Sequence, residues 1–144
     1  MNEITYRFFE SHQITAPLTA QVKSLLQQLG TFNTTTTKKH LVAAALSSRI
    51  LAAFNHTTVV GIACLIPIYT LTRRCGIIEH VVVDEKMRRK GVGTRMMQEI
   101  FDEARKMGLS RLDLTCGEEK SEAQKMYLKL GFETRTTCNF RRDL

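Results

Sequence analysis

Apolar and polar positions follow two rhythms along this chain, and the pattern changes character near residue 76. Residues 4–9 read as a first strand, and residues 18–29 as an amphipathic helix with Val22, Leu25, Leu26 and Leu29 on one face, stopped by Gly30. The threonine run 34–37 falls in a loop, and residues 38–46 make a second, short helix. Two strands follow at 50–55 and 59–68, separated by a turn at His56-Thr57-Thr58. Residues 76–84 are then nearly all apolar. Ile77, Ile78, Val81, Val82 and Val83 leave neither face to water, which is the pattern of a central strand buried on both sides. Residues 92–107 have helical spacing: Val92, Met96, Ile100 and Ala104 form an i, i+4 stripe flanked by Met97 and Phe101, with Gly108 as the stop. Residues 110–116 alternate, with Leu112, Leu114 and Cys116 on one side and Arg111, Asp113 and Thr115 on the other. These three elements form a strand, helix, strand unit, whose strands should be parallel and whose crossover should be right-handed. Ser121 with Gln124 is a capping-box signature for a helix carrying Ala123, Met126, Tyr127 and Leu130. Gly131 ends that helix, and residues 132–141 can supply one or two last strands.

Composition narrows the class without choosing a function. A chain of 144 residues, 43% hydrophobic and 24% charged, has the size and balance of one soluble globular domain spanning 1–144. The most apolar stretch, 59–71, is shorter than the ~18 residues of a membrane span and contains Pro67. Glu3, Arg7 and Glu10 break the basic-then-apolar order of a signal peptide, so the expected location is cytoplasmic. Cys64, Cys75, Cys116 and Cys138 show neither CxxC nor metal-ligand spacing, and are read as reduced thiols with no metal site. The net charge of +7 suits nucleic acid, an acidic membrane or a polyanionic cofactor alike, so its location has to decide.

The densest central cluster of charge is Arg88-Arg89-Lys90-Gly91-Val92-Gly93, between the buried strand and the long helix. A helix start leaves about four backbone N–H groups without partners and carries partial positive charge, which favours an anion there by roughly 0.3–1 kcal/mol per interaction. Gly91 and Gly93 remove side chains that would hold a phosphate away, and Arg88, Arg89 and Lys90 add mobile cations. Spacing excludes two common phosphate loops. Gly91 has no glycine-lysine pair five residues on, as a Walker loop requires, and the third position after Gly93 is Met96 where a dinucleotide loop has glycine. What remains is Arg88-x-x-Gly91-x-Gly93, a pyrophosphate loop or, on its own, a basic turn that caps a helix.

The sequence from about residue 77 to 132 resembles the GNAT superfamily of acyl-CoA-dependent N-acyltransferases. Ile78-Glu79-His80-Val81-Val82-Val83-Asp84 followed by residues 88–93 is similar to the family's central strand, pyrophosphate loop and helix. Ala123-x-x-Met126-Tyr127-x-x-x-Gly131-Phe132 is similar to its later A-x-x-x-Y-x-x-x-G-F signature. The resemblance implies an α/β fold: a mixed, mostly antiparallel central sheet of six or seven strands with one parallel strand, helix, strand unit, flanked by about four helices. It implies acetyl-CoA as co-substrate, wedged where the sheet splits. The backbone of Val81, Val82 and Val83 would meet the pantetheine arm and offer an N–H to the thioester oxygen, where a donor strengthens as charge develops. The N–H groups of Arg89, Lys90, Gly91, Val92, Gly93 and Thr94 would hold the pyrophosphate. Lys120 departs from the family pattern, which often has an asparagine there against the pantetheine.

Acyl transfer to an amine requires the amine to lose a proton and the thiolate to gain one. An alkyl ammonium of pKa ~10.4 is neutral about one part in a thousand at pH 7.4, a handicap of roughly 4 kcal/mol, so a base is needed. Glu79 is the candidate: ideal alternation puts it on the face of Val81 and Val83, in a segment otherwise apolar. Its competing reading is a structural carboxylate bonded to backbone or to an arginine. Tyr127 is placed by the resemblance beside the CoA sulfur, as acid or hydrogen-bond donor; by spacing alone it also fits a core stripe. His80 is read as a core histidine, and the cysteines as small core residues, since direct transfer needs no covalent intermediate.

The resemblance implies a primary amine of a small molecule or a peptide as acceptor, with protein lysines and N-termini left open. The Ile78-Glu79-His80-Val81-Val82 form of the strand is similar to that of glucosamine-phosphate acetyltransferases, which points to small amines, anionic ones included. Phe32, Asn33 and the threonine run are candidate acceptor contacts. Two other classes fit parts of the pattern. A silent acyl-CoA-binding sensor would keep the loop but has no use for Glu79 and Tyr127. A nucleic-acid module predicts one basic face with interleaved aromatics, whereas this chain spreads its charge. Neither nucleic acid nor membrane is therefore an expected partner, and a strand after Phe132 would allow a homodimer.

Overall fold

The computed structural model describes residues 3–30 and 36–144. Five strands form one sheet in the order β1 (Ile4–Phe9), β2 (Arg49–Asn55), β3 (Thr58–Tyr69), β4 (Arg74–Val83) and β5 (Arg111–Leu114). The first three pairings are antiparallel and β4–β5 is parallel. Among the described residues four α-helices flank the sheet: α1 (Ala16–Gln27), α2 (Lys38–Ser47), α3 (Val92–Lys106) and α4 (Ser121–Lys129). Both halves of the parallel unit fall where the apolar spacing puts them.

Alternation along β2 shows why the sheet is sandwiched. Ile50, Ala52 and Phe54 join Val22, Leu25 and Leu26 of α1 in one core, while Leu51 and Ala53 join Met96, Met97 and Ile100 of α3 in the other. The helix α3 sits close because Gly61 of β3 has no side chain: a Cβ there would lie 2.6 Å from the Met96 sulfur. The α1 start is fixed by Thr15, whose hydroxyl accepts from Leu18 N, and the α2 start by Thr37, which accepts from His40 N.

Two expectations are corrected. The sheet has five strands among the described residues, not six or seven, because residues 133–144 run exposed without strand, turn or bend. No glycine or proline lies in that run to reverse it into a hairpin. The Ser121/Gln124 capping box does not form: Lys120 is the N-cap of α4, and the Gln124 amide instead donates to the Gly117 carbonyl at 2.8 Å. Phe32, Asn33 and the first two threonines of the run lie outside the described residues.

Candidate active site

The site begins where the sheet opens. Strands β4 and β5 pair from Cys75↔Arg111 to Ile78↔Leu114 and no further, while β4 continues to Val83. Glu79, Val82 and Val83 thus keep their β3 partners on one side, and residues 79–83 have no ladder partner among the described residues on the other. The divergence coincides with a β-bulge. Cys64 pairs with Glu79 and Ile62 with Val82, so His80 and Val81 together oppose Ala63. His80 absorbs the extra residue at φ 55, in the left-handed region.

The bulge also reassigns the faces of β4. Val81 and Val83 pack on the α3 core, whereas Val82 is buried in the α1 core and Glu79 lies across from Cys64 on that same side. The expectation that Glu79 shares a face with Val81 and Val83 is therefore wrong by one residue, since an inserted residue flips every side chain beyond it. Half-buried, the Glu79 carboxylate has no hydrogen-bond or ion-pair partner among the described residues. His80 is exposed and is not a core histidine.

Past β4 the chain is clamped before it turns into α3. Asp84 accepts from Lys86 N at 2.9 Å, holding a 3-10 turn at Glu85–Met87. Gln28, at the end of α1, donates to the Asp84 carboxylate at 3.3 Å and accepts from Glu85 N at 3.1 Å. Gln28 was not visible as a site residue in the sequence, because it acts across 56 and 57 positions. Arg89 and Gly91 then adopt left-handed φ values of 61 and 78. The first helical bond of α3 runs from Arg95 N to Gly91 O at 3.0 Å. The N–H groups of residues 89–94 meet no acceptor among the described residues. They form a row of donors at the positive end of a long helix, chemistry suited to an anion. Gly93 lets this row sit low: a Cβ there would meet the Met126 sulfur at 3.2 Å and Val83 at 3.6 Å. Arg88 is not the mobile cation expected, for its Nε donates to the Val83 carbonyl at 3.0 Å and ties the loop to the strand end. Arg89 and Lys90 are exposed.

The Gly93 contact brings α4 to the same place. Tyr127, on α4, is buried in the α3 core with its ring 5.7 Å from that of Phe132, edge to face. Burial, with a smaller contribution from the Cys116 thiol, pushes the Tyr127 phenol up to about 12. Lys120 reaches from the start of α4 to the Leu29 carbonyl at 3.1 Å, so its ammonium serves as a brace between α4 and the end of α1. Burial likewise pushes the Cys64 thiol up, with the Ser48 hydroxyl 3.1 Å away working against the shift and Glu79 adding to it. That thiol is a poor nucleophile at neutral pH, in keeping with a core cysteine. All four cysteines are free, and no group of three or more metal-ligating side chains occurs among the described residues.

A family model for the acetyltransferase (GNAT) family matches residues 19–132, a span that runs from α1 through the split strands and the donor-lined loop to Phe132. This chain is a GNAT acetyltransferase-family protein. Solved structures agree on the fold. An acetyltransferase from Trypanosoma brucei is 24% identical, with a TM-score of 0.78 over 99% of this chain and 100% of that one. The glucosamine-6-phosphate N-acetyltransferase of Arabidopsis thaliana is 20% identical, with a TM-score of 0.77 over 97% and 98% of the two chains. An aminoglycoside acetyltransferase from an uncultured soil metagenomic sample reaches a TM-score of 0.85 at 13% identity, over 98% and 96%. At such identities these likenesses show the fold alone.

Proposed function

We propose that this protein is an N-acetyltransferase that moves the acetyl group of acetyl-CoA directly to a primary amine of a small molecule or peptide, through a ternary complex. The observation that carries the reading is the adjacency of two sets of unpaired main-chain groups: the N–H row of residues 89–94 and the open edge of β4 at residues 79–83. A pyrophosphate on the first and an extended pantetheine arm along the second fit one molecule. Val81, Val82 and Val83 line the arm, Arg88 fixes the loop that receives the diphosphate, and Arg89 and Lys90 add charge at its rim.

In this reading the amine nitrogen attacks the thioester carbonyl, the C–N bond forms and the C–S bond breaks. Glu79 takes the ammonium proton, directly or through water. Its position supports the role: it lies on the α1 side of the sheet with a free carboxylate, while the arm would pass along the edge. Tyr127 donates a hydrogen bond to the departing sulfur, and the proton that the attacking nitrogen loses as the amide forms passes through water to the thiolate, giving the CoA thiol. Among the acetyltransferases sharing the fold are one named for an amino-sugar phosphate and one for aminoglycosides, which favours small amines as first acceptors to try.

The test is a panel of primary amines with acetyl-CoA, following release of the CoA thiol. Glu79→Gln should lower kcat by about 10²–10⁴-fold without weakening acetyl-CoA binding. Gly93→Val, whose side chain would press on Met126 and Val83 and so displace the donor row, should weaken that binding at least ~10-fold. A protein that neither binds acetyl-CoA at millimolar concentration nor releases thiol with any amine is not this enzyme.

A further inference from the structure

The hairpin turn between β3 and β4 lies at the pole of the sheet away from the cleft. Arg74 opens β4, and at ~3.3 Å per residue the open edge begins about 16 Å further along, at Glu79. One side chain fixes the turn. The Thr70 hydroxyl accepts from Thr72 N at 3.3 Å and from Arg73 N at 3.1 Å, and Thr70 N donates to the Arg73 carbonyl at 2.9 Å. So held, the turn projects Leu71 wholly into solvent, at 106% exposure, with Tyr69 behind it at 65%. A single exposed leucine is ordinary on a protein surface. The setting of this one is not.

Folding gathers cations around that apex. The stretches 69–75 and 104–112 carry Arg73, Arg74, Arg105, Lys106 and Arg111 and no carboxylate. They lie far apart in the chain, so sequence spacing shows no such cluster. The Cys75↔Arg111 pairing joins them, as does Ser110, whose N–H and hydroxyl both donate to the Arg74 carbonyl, at 2.9 and 3.1 Å. The carboxylates at this pole are already engaged: Asp102 pairs with Arg105, and Glu10 and Glu103 both pair with Arg49. Arg73, Arg74, Lys106 and Arg111 are exposed and belong to no ion pair among the described residues. The Arg74 guanidinium lies over the Tyr69 ring, 5.9 Å from its centroid, which ties the cations to the apolar tip.

We propose that this pole docks on an anionic lipid bilayer, with Leu71 and Tyr69 entering the interfacial layer and Arg73, Arg74, Lys106 and Arg111 meeting the headgroups. The order of chemistry along the tip carries the choice. An aliphatic side chain stands at the apex, an aromatic one behind it and cations around the base, and a bilayer asks for those groups at those depths. A nucleic acid offers phosphates to the cations but no apolar layer to the leucine. An acidic protein would have to supply a pocket shaped to the apex, whereas a bilayer has apolar depth beneath every headgroup. Docked by this tip, the molecule keeps its cleft away from the surface, and the inference stands independently of the catalytic reading.

The test is co-sedimentation of the full chain with phosphatidylcholine vesicles containing about 40% phosphatidylserine, against phosphatidylcholine alone, at about 0.1 M NaCl. The anionic vesicles should bind at least ~10-fold more tightly, and Arg73→Gln and Lys106→Gln should each weaken that binding about fivefold. Leu71→Ser should weaken it about tenfold. All three variants should keep the parent Tm. The chain has no tryptophan, so Leu71→Trp reports the depth of the tip. Its emission should shift to the blue on anionic vesicles and be quenched by brominated lipid tails, while Leu128→Trp, on the exposed face of α4, should do neither. Equal binding to the two kinds of vesicle overturns the proposal, as does an unshifted Leu71→Trp. Binding to duplex DNA or to polyglutamate as tight as to the anionic vesicles, and unaffected by Leu71→Ser, would give the cations to another partner and overturn it too.

Discussion

Tyr127 is a phenol held in a core, and its burial fixes what it can contribute. A hydroxyl whose pKa is pushed up to about 12 stays protonated through any working pH. It can donate a hydrogen bond to developing thiolate charge. Handing over its proton is uphill, since an ordinary thiol titrates about three units lower. The donor role is therefore the one its surroundings favour. Tyr127→Phe should cost roughly tenfold to a hundredfold in kcat, at or below the low end of the 10²–10⁴ of full proton transfer. The pH–rate profile should show no fall assignable to this residue below about pH 11. Stability gives a second readout. The folded state holds the phenolic proton more tightly than the unfolded chain does, so this contribution is intact below pH ~10 and lost as pH rises toward 12. Tm measured from pH 9 to 12 should fall less steeply in Tyr127→Phe than in the parent; equal slopes would mean the phenol is not held neutral. Among residues, the position of the loop between β4 and α3 was legible because Arg88 to Gly93 are contiguous, whereas the bond of Arg88 to the Val83 carbonyl was not. Gln28 and Lys120 were not, because their bonds to Asp84, Glu85 and Leu29 depend on elements far apart in sequence.

At the scale of elements, the β4 bulge links sequence to site. Helices α1 and α3, the buried character of β4 and its parallel partner β5 could all be read from apolar spacing, because burial on one or both faces imposes a period. A bulge imposes none. Ile78 to Val83 reads as one continuous strand, and no glycine advertises the left-handed position that His80 fills. Alternation therefore gave Glu79 the wrong face, and the C-terminal strands were expected where no sheet receives them. The bulge also coincides with the point where β4 leaves β5, so the conformation at His80 bears on how the cleft opens. A β-branched residue at that φ costs roughly 1–2 kcal/mol, whereas glycine adopts it freely. His80→Val should lower Tm by about 3–6 °C and weaken acetyl-CoA binding, while His80→Gly should stay close to the parent in both. Equal Tm and affinity for the two variants would show that the left-handed turn is not what sets the opening.

Across the whole molecule, the charge of +7 is a property of the surface field, and its ambiguity in the sequence yields once positions are known. Arg89 and Lys90 are exposed beside an unpaired donor row, with Arg88 anchored behind them. Lys106 ends the same helix, α3, which places it about 20 Å from the loop at ~1.5 Å per residue. The Debye length is ~8 Å at physiological ionic strength, so charges in the loop should act on a bound polyanion while charges at the far end of the helix should be screened. Calorimetric titration of acetyl-CoA at about 0.05 and about 0.5 M NaCl should show affinity falling several-fold. Lys90→Gln should flatten that dependence, and Lys106→Gln should leave it unchanged. If Lys106 carried as much of the salt dependence as Lys90, the diphosphate would not be held at the front of α3, and the functional reading built on that loop would fall with it.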